Sequence, residues 1–75
     1  MNEVRYMQEA TRTAMRRRVD ELADSGDHPD HMSIEEALRD EFGTGIDPHF
    51  LFSSPADKTY WDRRCQAAQR GRPHA

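Results

Sequence analysis

Seventy-five residues, 35% hydrophobic and 33% charged, with a net charge of −3 and one cysteine, allow a single small domain and exclude a large buried core. Cys65 alone cannot form an internal disulfide, and no apolar run reaches the ~18 residues that span a bilayer. Met1-Asn2-Glu3 leads into a charged stretch without an apolar leader core, so a cytoplasmic protein without a membrane segment is expected.

Charge is spread unevenly along the chain. Residues 1–25 balance five Arg against five acids, residues 26–52 set seven acids against Arg39 alone, and residues 53–75 set five basic residues against Asp57 and Asp62. An acidic middle and a basic end either steer a charged partner or draw the two segments together within one fold.

The first helix is predicted from about Glu3 to Asp24. Val4, Met7, Thr11, Met15, Val19 and Leu22 recur on one face at helical spacing. On the opposite face, Arg5 with Glu9, Arg16 with Asp20 and Arg17 with Glu21 stand four apart, the spacing at which helix ion pairs form. Arg18 falls beside the apolar stripe, placed to lay its stem over the core or to meet an acid of the second helix. Gly26 suits a left-handed cap, and Pro29 cannot continue a helix.

The second helix is predicted over residues 33–42. Ser33 followed by Glu36 reads as a capping box, Ile34, Ala37, Leu38 and Phe42 share a face, and Gly43 is suited to end the helix in the left-handed region. Five of the six aromatic residues (Phe42, Phe50, Phe52, Tyr60 and Trp61) fall between positions 42 and 61, and so organise a chain this short. Because Pro48 disfavours helix at Asp47, Ile46 to Phe52 is predicted as a docked loop or short extended segment. The third helix is predicted over 55–70, with Ser54 as N-cap, Pro55 at the first position and Asp57 complementing the helix dipole. Trp61, Cys65 and Ala68 form its buried face, Gly71 and Pro73 stop it, and residues 71–75 are predicted as a disordered tail. The expected fold class is all-α, a small three-helix domain with an aromatic loop docked between the second and third helices. Its shortness makes a homodimer one expected way of completing the core.

Three constellations bear on function. Asp27, His28, Asp30 and His31 place metal-ligating types within five residues, within reach of His49 or Cys65, but the segment is also an ordinary Pro-containing turn, and no metal or other cofactor is expected. His28-Pro29-Asp30 resembles the tripeptide by which J-domain cochaperones engage their chaperone. The likeness covers three residues, and the acidic Asp20 to Asp24 stretch stands where that family has a basic helix.

The other two constellations are surfaces of charge. Asp30, Glu35, Glu36, Asp40, Glu41 and Asp47 make the acidic surface, the first candidate for binding a protein partner. Arg12, Arg16, Arg17, Arg63 and Arg64 make the alternative, a basic stripe suited to phosphates, which the interleaved acids and a pI near 5.7 argue against. No catalytic residues are expected: the carboxylates form no isolated acid–base pair, and Cys65 falls on a core face. The expected function is a non-enzymatic interaction module that binds a partner protein and regulates or inhibits it. Phage-encoded inhibitors of bacterial defence, anti-CRISPR proteins among them, belong to this broad type; a small helical nucleic-acid-binding regulator is the alternative.

Overall fold

The computed structural model describes residues 8–43 and 45–71, and these form three α-helices and one 3₁₀ turn, with no strand among them. The predicted start of the first helix, with Val4, Arg5 and Met7, lies outside the described residues, as does the predicted tail beyond Gly71.

Helix α1 covers Glu9–Ser25 and turns Met15, Val19, Leu22 and Ala23 into the core. It ends where Gly26 takes φ 81° and ψ 3°, a left-handed conformation that costs glycine little because it has no Cβ. The Ser25 hydroxyl donates to the Leu22 carbonyl at 2.7 Å and accepts from the Asp27 amide at 3.1 Å, which turns the chain toward the second helix.

Helix α2 covers His31–Phe42 and begins earlier than the capping-box reading places it. Asp30, in extended backbone, accepts from the Ser33 amide at 3.0 Å and is the N-cap. An Asp caps as well as a Ser, and doing so at position 30 adds a turn to the helix. The Ser33 hydroxyl is used elsewhere, 2.7 Å from His28 Nδ1. Ile34 and Leu38 are fully buried. The helix stops at Gly43, whose φ of 95° and ψ of 170° lie outside the left-handed helical region but still in backbone space open chiefly to glycine.

The aromatic loop between α2 and the last helix is docked on the core through Ile46, Phe50, Leu51 and Phe52, and part of it is regular. Pro48–Phe52 forms a 3₁₀ turn, with Asp47 extended as a residue before proline should be and its carboxylate accepting from the His49 amide at 3.0 Å. The turn drives Phe52 into the core, where it is fully buried and meets Trp61 edge-on at 6.5 Å. Helix α3 covers Pro55–Arg70, and its Ser54 N-cap accepts from the Asp57 amide at 3.0 Å, as the sequence predicts. Its C-cap, Gly71, is right-handed at φ −80°, so the helix end uses no glycine-specific conformation.

The core is one cluster that draws on every element: Met15, Val19, Leu22 and Ala23 from α1, Ile34 and Leu38 from α2, Phe52, and Trp61 and Cys65 from α3. Within one chain, Met15, Val19 and Leu22 of the predicted α1 stripe are at most 6% exposed, and Thr11 is half-buried. Burial raises the Cys65 thiol pKa, the behaviour of a packed small hydrophobe rather than a nucleophile.

Candidate functional site

Ion pairs tie the helices together at the edges of this core, and together with shorter-range pairs and helix caps they engage most of the charges that the sequence singles out. Arg18 of α1 donates from Nε and Nη2 to the two Glu41 oxygens of α2 at 2.8 and 2.9 Å, a forked geometry that fixes both side chains. The Arg18 hydrogen bonds, outweighing desolvation, hold the Glu41 carboxyl below its ordinary pKa. Glu21 accepts from the same guanidinium at 3.0 Å. Arg64 of α3 reaches across to α1, donating to Asp20 at 2.9 Å and Asp24 at 2.8 Å, and these hydrogen bonds, chiefly the one accepted by Asp24, raise its pKa.

The predicted pairs of Arg16 with Asp20 and Arg17 with Glu21 are therefore not formed. Each acid is claimed by a guanidinium that also serves the core: Asp20 by Arg64, Glu21 by Arg18. Arg16 instead lies 3.8 Å from Glu9 and stacks 5.5 Å over the Phe50 ring.

The acidic surface is thus largely spoken for. Asp30 caps α2, Glu41 is forked to Arg18, Glu35 accepts from Arg39 at 2.8 Å, and Asp47 caps the 3₁₀ turn and lies 3.7 Å from Arg39. Glu36 and Asp40, on the exposed face of α2, make no ion pair among the described residues. The basic stripe is divided in the same way: Arg12 and Arg16 meet Glu9, Arg64 meets Asp20 and Asp24, and Arg17 and Arg63 stay unpaired among the described residues.

The turn between α1 and α2 is equally committed. Asp62 of α3 accepts from both the backbone amide and Nδ1 of His31, at 2.8 and 2.7 Å. Desolvation pushes the Asp62 carboxyl pKa upward, but the hydrogen bonds from His31 together prevail and leave it lowered. His31 also packs against the Phe52 ring at 5.8 Å. With His28 on Ser33 and the Asp30 carboxylate turned to its own helix, the His-Pro-Asp tripeptide serves as the start of α2. Among the described residues no three His, Cys, Asp or Glu side chains are grouped to hold a metal ion.

Of the two exposed large hydrophobic side chains among the described residues, Met32 at 63% and Tyr60 at 52%, Tyr60 centres a grooved surface. Its ring stands edge-on to Trp61 at 4.8 Å, and its hydroxyl accepts from Arg64 Nη1 at 3.0 Å, so the aromatic body is fixed while one face stays free. Arg64 lies 5.7 Å from the Tyr60 ring and 5.1 Å from the Trp61 ring, which holds all three side chains as a unit. On one side of Tyr60 an open groove of about 650 Å³ runs along the outward face of α3, lined by Pro55, Ala56, Thr59, Arg63 and Ala67 besides Tyr60 and Arg64. A second groove at the seam with α1 is lined by Arg16, Val19, Asp20, Phe50, Leu51, Asp57 and Trp61 besides Tyr60.

Tyr60 and Phe50 are not among the charged residues that the sequence reading selects for binding. The signal available is the 4-3-4 spacing of Ala56, Tyr60, Arg63 and Ala67, which puts them on the face of α3 opposite Cys65 and Ala68. Compared with known proteins, the chain matches no family model, no curated protein and no solved structure.

Proposed function

We propose that this chain is a non-enzymatic, cytoplasmic interaction module that binds a partner protein, and so regulates or blocks it, through the Tyr60-centred surface of α3. The observation that carries the reading is an exposed, pre-oriented tyrosine between two grooves, flanked by Arg16, Arg63 and the half-buried Phe50. Aromatic and arginine side chains are the types enriched at protein interfaces, and a side chain already held in place loses little conformational freedom on binding. Most acids of the middle segment, by contrast, have partners inside the chain.

The test is differential capture. Wild-type protein and the Tyr60→Ala, Arg63→Glu variant, shown by circular dichroism to keep the same helix content, are each used to retain proteins from the source cell. A protein held by the wild type and lost with the variant is the expected result. Identical capture by both, or loss only on reversing Glu36 and Asp40, overturns the assignment to α3.

A further inference from the structure

The groove along α3 has a chemical bias that narrows what can occupy it. Its floor is apolar and shallow: Ala56 and Ala67 bracket Tyr60 and Arg63 at 4-3-4 spacing, the spacing by which one helix presents a seam to another. Two small residues at the ends of that seam let a second backbone approach closely. Its polar groups are mostly donors. Arg63 carries a guanidinium with no ion-pair partner among the described residues, and no carboxylate lines the groove. The Tyr60 oxygen already accepts from Arg64, which leaves its hydrogen for another acceptor. Arg64 itself is tied to Asp20 and Asp24 and stiffens the wall.

From this complementarity we infer that the occupant is an amphipathic helix of a partner protein, carrying an Asp or Glu opposite Arg63 and Tyr60 and small or aliphatic side chains opposite Ala56 and Ala67. This rests on the reading of α3 as the binding face. A nucleic-acid backbone fits less well: the groove offers one unpaired guanidinium over a mainly apolar floor, and the net charge of −3 opposes a polyanion.

A displayed library of helical peptides, randomised at the positions of one helix face, is selected against the 75-residue chain and against its Arg63→Glu variant. Against the wild type, sequences with an acid one turn from an aliphatic or small residue are expected. Arg63→Glu should weaken those peptides by about tenfold or more and select Lys or Arg at the same position. Amide shifts in the labelled protein should fall on α3 between positions 56 and 67. Peptides that bind there without acidic preference, and equally to both chains, overturn the inference while leaving α3 as the binding face. Peptides whose shifts fall on Glu36 and Asp40, or no enrichment over the Tyr60→Ala, Arg63→Glu chain, overturn both. Salt-sensitive binding of duplex DNA that Arg63→Glu abolishes replaces the peptide by a phosphate backbone. A concentration-dependent dimer in sedimentation that the same substitution abolishes makes the occupant a second copy of this chain.

Discussion

Helices α2 and α3 both pack an apolar stripe on α1 and both present charge outward, but they use that charge differently. On α2, Glu35 and Glu41 are bound to guanidinium groups of Arg39 and Arg18, and Asp30 caps the helix. On α3, Asp62 and Arg64 hold neighbouring helices, while Arg63 and Tyr60 face an open groove. Of the four acids within α2, Glu35 and Glu41 are engaged by the fold and Glu36 and Asp40 are not, among the described residues; on α3 the unpaired Arg63 guanidinium stands beside the exposed Tyr60 ring. Density of charge in a sequence does not show which charges remain for a partner; that depends on which of them the fold has already engaged.

The widest test of the comparison removes what both helices stand on. Phe52 is fully buried at the centre of the cluster and touches His31 of α2 and Trp61 of α3 through ring contacts. Phe52→Ala should cost about 3–5 kcal/mol, from lost burial plus the cavity left behind. Urea titration checks it; a loss below about 1 kcal/mol would mean that the two helices are held by their edge ion pairs instead.

A smaller effect separates the two readings of how α2 begins. With Asp30 as N-cap, Asp30→Ala should cost about 1 kcal/mol and Asp30→Asn much less, since an amide oxygen can accept from the Ser33 amide as the carboxylate does. Ser33→Ala keeps that cap and loses only the contact to His28. A Ser33→Ala midpoint shift larger than that of Asp30→Ala would restore the capping box at position 33.

The acids that hold α1 to α2 and α2 to α3 should also be visible in the pH dependence. Glu41 and Asp62 have lowered pKa values in the fold, so the unfolded chain takes up their protons first. Their contribution is complete above the unfolded value near pH 4 and is lost as pH falls through the lower folded values. The urea midpoint should drop on acidification below about pH 5, and Asp62→Asn should make that drop shallower. An unchanged acid limb in Asp62→Asn would remove Asp62 as a contributor.

The sequence declared the helices and their packing faces clearly, because periodicity and caps are local. The apolar spacing of α1, Ser54 with Pro55, and Gly26 all act within a turn or two of themselves. The capping-box reading takes Ser33 as the N-cap, whereas in the fold Asp30 caps, the Ser33 hydroxyl lies against His28, and Asp62, 31 positions away, holds the first helical residue, His31. The same limit governs the site. Of the two roles the sequence offers Arg18, the acid of the second helix is the one formed, with Glu41; of the i,i+4 pairs of α1, Arg16 with Asp20 is overruled by Arg64, 44 positions from Asp20, and Arg17 with Glu21 by the neighbouring Arg18. Which charges stay free depends on such distant claims, so Tyr60 and Arg63 emerge only once the helices are assembled.

The finest discrimination falls on two adjacent residues of α2. Glu35 and Glu36 are indistinguishable by composition, yet Glu35 is half-buried against Arg39 and Glu36 is exposed without an ion pair among the described residues. Glu36→Lys should leave stability within ~0.5 kcal/mol, as exposed substitutions generally do. Glu35→Lys sets an ammonium beside the Arg39 guanidinium, so it should lower the urea midpoint more than Glu36→Lys, and the gap should narrow as salt rises and screens the repulsion. Arg63→Glu belongs with Glu36→Lys: no acid within the fold depends on it, and its effect should appear in binding alone. If Glu35→Lys and Glu36→Lys are equally silent at low salt, the α2 acids are not committed to the fold, and the acidic surface regains its standing as the place where a partner docks.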